Sequence, residues 1–382
     1  MITRTQLINL RKQIFGILVL LFFQCLIANG CDDLVLSPPE VGLGLEYQHW
    51  RNGNIPWSIH ILKVDRSRDD LKLKAVLAQD KVLGLAQMSS IIASMNFANE
   101  KPVAGVNGDF FVIDEKNSYR GDPTGIQVSD GEFISEPSNI SFWIDKNGNP
   151  NIGAVKSKLR VILPDGDSID VGLNRERKDS EAVIYTSRLG DTTKTNSGKE
   201  FVLECEGNNW NPFQIGKKYI GKIVEINVLC NTLIKSDKIV LSVGKEILEK
   251  FSKLRIGDQL EIVTETQPDL SEAITAIGGS PILIQDGKLM NFDQGDRHPR
   301  TAIGWNDKYF FMVVVDGRQP LLSIGMSLKE LMELMKDLGC TNALNLDGGG
   351  SSTFWLGGRT LNSCSDGKER PIANALILVR TF

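Results

Sequence analysis

The sequence predicts an α+β fold: a mixed sheet with a C-terminal strand-helix-strand crossover unit, and a strand-rich middle segment at about 150–265. Three observations predict it. An apolar run, a capped amphipathic helix and a second strand follow one another between Phe310 and Asp347. Asn-Gly and Asp-Gly pairs punctuate alternating apolar residues from Gly125 to about Glu265. Finally, 382 residues with 41% hydrophobic and 24% charged side chains suffice for a sizeable core.

Arg4, Arg11 and Lys12 precede an apolar run from Ile14 to Ile27, and Ala28-Asn29-Gly30-Cys31 follows it. A basic start, a short apolar stretch and small residues form a secretory signal over residues 1–30. The run falls short of the roughly 20 residues of a comfortable membrane span. An uncleaved anchor is the alternative. Gly30-Cys31-Asp32-Asp33 resembles a bacterial lipoprotein processing site, with the lipid on Cys31. The chain is therefore expected to be exported, periplasmic or at the cell surface, and to touch membrane only through that lipid. Residues 31–44 read as a linker and 45–382 as the folded domain.

Cys205, Cys230, Cys340 and Cys364 lie in that domain, allowing three disulfide pairings, with buried free thiols as the alternative. None forms C-x-x-C, which disfavours a zinc or redox site. Against 47 acidic residues the 43 basic ones leave a net charge of −4, so nucleic-acid binding is not expected.

Trp57 to Val64 and Leu71 to Leu77 read as strands. Leu85, Met88, Ile91, Ile92 and Met95 recur at helical spacing, predicting an amphipathic helix from Leu85 to Asn99. Val103 to Val106 reads as a strand leading into Asn107-Gly108-Asp109-Phe110-Phe111. Asp130-Gly131, Asn147-Gly148 and Asp165-Gly166 mark hairpin turns, and Thr192 to Lys199 an exposed polar loop. Phe310 to Val315 is a strand buried on both faces. Ser327-Leu328-Lys329-Glu330 is a capping box; its helix carries Leu331, Met332 and Met335 on one face and closes at Gly339. In the strand that follows, Asn345 and Asp347 share one face while Leu344 and Leu346 share the other.

Strand, helix and strand joined by short loops imply two parallel strands in one sheet. Asp316 and Asp347 then end on the same edge, where crossover sheets open a crevice. Asn107 reaches a strand end in the same way. Converging carboxylates, with Asn345 and Arg300 nearby, suit glycoside hydrolysis: one attacks or stabilises the sugar carbon while another handles a proton. Asp347-Gly348-Gly349-Gly350-Ser351-Ser352 lets backbone amides approach an anion, and without a Lys-Ser/Thr ending it is no nucleotide loop. Arg300 could grip a phosphate bidentately. His298 lies beside this cluster in sequence, whereas His49 and His60 read as structural. H-E-x-x-H and G-x-S-x-G are both missing, which weakens zinc-protease and serine-hydrolase readings. Asp316, Asp347 and Asn345 offer hard oxygens that could hold calcium or magnesium, but nothing in their spacing demands a cofactor.

Gly278-Gly279-Ser280-Pro281, Arg300-Thr301-Ala302-Ile303-Gly304, Asp316-Gly317 and Asn345-Leu346-Asp347-Gly348-Gly349-Gly350-Ser351 together resemble the phosphodiester glycosidase family. The resemblance is tightest from about Ala276 onward and extends loosely back to about Tyr47. It implies hydrolysis of a sugar-1-phosphodiester in an envelope or environmental phosphoglycan. It also implies catalytic Asp316, Asp347 and Asn345, with Asn107, Gly108, Gly279, Arg300, Thr301, Gly348, Gly349 and Ser351 binding substrate. Asp109 stands where the animal members have Gly, and Arg318 where they have Gln, so neither is expected to be a shared catalytic group. A surface glycan-binding lipoprotein without turnover, and a phosphodiesterase cutting P–O, are the alternatives.

Overall fold

The computed structural model describes residues 43–53, 55–95, 99–207 and 210–382. The signal segment, Cys31 and most of the linker lie outside the described residues. Thirteen elements position the site: β1 (Leu45–Asn52), β2 (Trp57–Asp65), β3 (Leu71–Leu77), α1 (Met88–Ser94), β4 (Glu100–Asn107), β5 (Ala273–Gly278), β6 (Ile282–Gln285), β7 (Arg300–Trp305), β8 (Tyr309–Val315), α2 (Leu328–Asp337), β9 (Asn342–Asn345), β10 (Phe354–Leu356) and β11 (Asn374–Thr381).

The fold is predominantly β, at 44% strand against 9% helix among the described residues, built of antiparallel sheets that include a near-closed barrel. This corrects the expected α+β class with a mixed sheet. The crossover unit exists, but β7 lies between its two strands: the seven-stranded sheet runs β1-β2-β8-β7-β9-β6 and ends on Lys288–Leu289. Both β8 and β9 pair antiparallel with β7, so they run the same way without touching. A local apolar pattern specifies a strand, yet cannot say which distant strand will be its neighbour.

Strict alternation along each strand builds the core. Phe310, Met312 and Val314 face a second sheet, ordered (Arg359–Thr360)-β10-β4-β11-β3, and pack with Val106, Phe354 and Leu376. Phe311, Val313 and Val315 face the other way, onto Leu331, Met332 and Met335 of α2. Helix α1 covers the outer side of the second sheet with Met88, Ile91 and Ile92. Two sheets are thus stacked between two helices, and β8 is buried on both faces as expected.

Helix α1 is shorter than the Leu85–Asn99 expectation. Ala86 exchanges two backbone hydrogen bonds with Ile372, which keeps the chain extended up to Gln87, and Met95 is extended again. Residues 96–98 lie outside the description. Helix α2 begins at the capping box: Glu330 N donates to Ser327 Oγ, and Ser327 N donates to Glu330 Oε2.

The middle segment forms an eight-stranded sheet from Arg160–Ile162 to Lys238–Val243 and Gln259–Thr264. Its inner face closes over Val161, Ile184, Phe201, Leu241 and Ile262. The three predicted hairpin turns are present, with Gly131, Gly148 and Gly166 at positive φ. The loop before Lys199 is polar but only partly exposed, because Thr193 and Thr195 are buried and Thr195 donates to Glu200 at 2.6 Å. The four cysteines of the domain are free thiols.

Candidate active site

Register brings the motif residues to one end of the two stacked sheets. Arg300 lies opposite Val315, and Ala302 opposite Asn345, so Asp316 and Asp347 emerge at the same edge. Asn107 ends β4 in the facing sheet. Its Oδ1 accepts from Thr301 Oγ1 at 2.6 Å and from Thr353 N at 3.1 Å, and its Nδ2 donates to the Asp347 carbonyl at 2.7 Å. Asn107 and Thr301 thus clamp the two sheets together directly beneath Asp347.

The two acids differ sharply in environment. Asp316 is 2% exposed, and both of its oxygens are saturated. Oδ2 accepts from Ser58 Oγ at 2.7 Å and His60 Nε2 at 3.3 Å; Oδ1 accepts from Ser363 N at 2.9 Å and Asn362 Nδ2 at 3.3 Å. Four donors leave no lone pair free. Asp347 is half-buried, and its Oδ1 accepts from Gly348 N at 2.8 Å. Burial raises its carboxyl above the usual range, against the pull of Ser351, Gly348 and Arg370.

The turn after Asp347 is short of side chains and ringed by cations. Arg318 lies 3.0 Å from where a Cβ on Gly349 would stand, and Arg370, ion-paired with Asp366, lies against the same point on Gly350. Glycine is required there for guanidinium groups to reach the backbone. Arg300 Nε donates to the Met326 carbonyl at 2.9 Å and Nη2 to the Asp296 carbonyl at 3.3 Å. Neutral acceptors hold its orientation and leave its charge uncancelled; burial and then Arg318 lower its pKa. Around the turn, Asn345 Oδ1 and Ser352 Oγ are buried without a hydrogen-bond partner among the described residues. Unpaired buried polar atoms of this kind mark a place for a ligand or ordered water. A cavity of about 550 Å³, lined by Asn362, Ser363, Cys364 and Lys368 among others, adjoins the Asp316 side of the site.

Gly108 and Gly279 sit under the site, not in its mouth. A Cβ on Gly108 would meet Asn374 Oδ1 at 2.3 Å, and one on Gly279 would meet the Asn345 carbonyl at 2.9 Å. Their contribution is close packing of backbones.

The C-terminal segment, residues 217–379, matches the sequence profile of the phosphodiester glycosidase family. These residues carry a phosphodiester glycosidase family domain. The SPbeta prophage-derived uncharacterized protein YomE of Bacillus subtilis is 40% identical over 87 residues, which are 22% of this chain and 13% of that protein. A hypothetical protein from Synechocystis shares the fold at 20% identity and a TM-score of 0.70, over 88% of this chain and 62% of its own. A presumed exported protein from Burkholderia pseudomallei does so at 22% and 0.66, over 84% of this chain and 74% of its own. The chain thus spans a small part of YomE and under two thirds of the Synechocystis protein.

The matched segment does not hold the whole site. Ser58 and His60, together with Tyr47 and His49, come from the β1–β2 hairpin. Tyr47 hydroxyl and His60 Nδ1 are 2.8 Å apart, and His49 Nε2 lies 2.9 Å from Ser58 Oγ, with the two imidazoles stacked at 4.2 Å. Asp316 accepts, so His60 Nε2 carries a hydrogen; Ser58 Oγ donates to Asp316 and so accepts from His49 Nε2. Burial, then His60, pushes His49 down to about 4, and burial followed by the Asp316 charge pushes Tyr47 up to about 12. His49 and His60, expected to be structural, hold Asp316 in place, His60 directly and His49 through Ser58. Their signal in the sequence was the two-residue spacing of Tyr47-His49 and Ser58-His60 on one face of a hairpin. His298, the histidine nearest the motifs in sequence, makes two backbone bonds to Met326 instead.

Among the described residues no group of three or more His, Cys, Asp or Glu side chains is placed to hold a metal ion. Asp316 in particular has no oxygen to spare for one.

Proposed function

We propose that the chain hydrolyses the C–O bond between a sugar and a phosphodiester, with Asp347 as the carboxylate that meets the substrate. One observation carries this reading: a half-buried acid stands beside a glycine turn flanked by Arg300 and Arg318, with Arg370, paired to Asp366, against Gly350 and unpaired Ser352 and Asn345 groups nearby. The guanidinium groups and turn amides suit an anionic phosphodiester. Asp347 suits the positive charge that develops at the sugar carbon. A phosphate leaving group is already acidic, so the site needs no strong acid to protonate it. Asp316, fixed and saturated, acts as a buried charge beneath the site.

The likeness to a presumed exported protein, together with the basic and apolar N-terminal segment, supports action outside the cytoplasm on an envelope or environmental phosphoglycan. No helix among the described residues is long and apolar enough to cross a membrane.

The test is to incubate the chain with UDP-N-acetylglucosamine and sugar methyl phosphates in 18O-labelled water, beside Asp347→Asn. Label in free sugar, lost in the variant, supports the reading. Label in phosphate assigns a phosphodiesterase. Binding of sugar phosphates with no release by either chain assigns a glycan-binding protein.

A further inference from the structure

Asp109 is a second acid at the foot of this site. It follows Gly108, whose carbonyl accepts the Asp347 amide at 3.0 Å, so the two residues flank a single hydrogen bond of the backbone. Asp109 is 4% exposed. Its Oδ1 accepts from Phe110 N at 2.8 Å, and its Oδ2 lies 3.5 Å from Thr124 Oγ1. Two glycines wall the carboxyl: a Cβ on Gly125 would stand 2.8 Å from Oδ2, and one on Gly278 only 2.2 Å. In this chain Gly278 leaves room for the Asp109 side chain.

The charged groups set against Asp109 are acids. Asp347 acts on it from the glycine turn, and Asp109 in turn raises Asp122, itself 8% exposed, in the loop before Gly125. Arg370 acts on Asp347 instead. An acid that is walled in and beside two others, without a cation in an ion pair, favours its neutral form.

We propose that Asp109 is a positioning residue for Asp347, holding a proton beside it so that the pair offers a single negative charge to an anionic substrate. The substrate named here rests on the glycosyl-phosphodiester reading; the carboxyl pair itself does not. Burial, with the Asp347 charge adding to it, pushes Asp109 up to about 7. Asp347, which Ser351, Gly348 and Arg370 pull back down against burial, is the member that carries the charge of the pair. Above neutrality both ionise, and the second charge repels a phosphodiester without removing any catalytic group. The expected signature is a KM that rises several-fold between mildly acid and mildly alkaline pH while kcat changes little.

The deciding experiment is a 13C NMR titration of Asp side-chain carboxyls in the full chain, beside Asp347→Asn. Asp109→Asn assigns the Asp109 signal, and Asp109→Gly does so should the first variant not fold. The expected result is a near-neutral Asp109 midpoint that moves to lower pH in Asp347→Asn. A midpoint in the ordinary carboxylate range, or one indifferent to Asp347→Asn, overturns the proposal. With UDP-N-acetylglucosamine as probe, Asp109→Asn should flatten the pH dependence of KM; an unchanged profile also overturns it. If no donor is hydrolysed by the native chain, the glycosidase reading falls while the NMR midpoints still decide for or against the pair.

Discussion

Asp316 and Asp347 end two strands that run the same way, yet one is saturated with donors and the other accepts little beyond its own turn. The sequence shows two Asp-Gly pairs and cannot distinguish them, because the donors to Asp316 come from far away: His60 lies 256 residues from it along the chain. His60→Ala should therefore cost about 1–3 kcal/mol, the price of leaving a buried acceptor short of one donor, read as a lower urea midpoint with an unchanged slope. Activity should fall with it, since Asp316 loses its orientation. Asp109 gives a prediction with a defined sign. Its carboxyl rises from the ordinary 3.8 to about 7 on folding, so between those values the native chain holds a proton that the unfolded chain releases. Its contribution is complete below the unfolded value and is lost as pH rises through the folded one. At about 1.4 kcal/mol for each tenfold change in proton affinity, that is of the order of 4 kcal/mol at most. Asp122 and Asp347 are raised as well and act in the same direction. The test is therefore a comparison: urea midpoints of Asp109→Asn should fall less than those of the native chain between pH 4 and pH 7.

At the scale of elements, what is local was legible. The capping box, the positive-φ glycine that closes α2, the extent of β3 and the three hairpin turns are all where short-range pattern put them. Ser327→Ala should destabilise the chain by about 1 kcal/mol, the usual cost of an N-cap, again read from urea unfolding. A larger loss would mean that the cap also holds the loop on which Arg300 is anchored, because Met326, whose carbonyl accepts from Arg300, directly precedes it. Helix α1 was overestimated because its apolar spacing continues past the point where the Ala86–Ile372 bridge claims the backbone. Sheet neighbours were not legible at all. Periodicity identifies β8 as a doubly buried strand, but only tertiary structure inserts β7 between it and β9.

At the scale of the molecule, the glycosidase match covers residues 217–379, and this segment leaves both stacked sheets open. Without β2, strand β8 loses a partner along seven residue pairs. Without β4, strands β10 and β11 have nothing between them. The eight-stranded sheet would keep three of its strands, with Lys238–Val243 cut off from Lys217–Asn227 by the loss of Lys199–Cys205. Bare strand edges and split cores favour aggregation over folding. The segment expressed alone should therefore show neither a cooperative urea transition nor dispersed amide NMR signals, whereas residues 43–382 should show both. A cooperative transition in the isolated segment would mean that the β1–β2 hairpin and β4 are additions to a self-sufficient domain. The position of the site argues against that. Asp347 is clamped through Asn107 of β4, and Asp316 is held by Ser58 and His60 of β2, so residues outside the matched segment supply part of the contacts that fix both acids. Folding and the site then depend on the same strands, and a chain that loses them should lose both together.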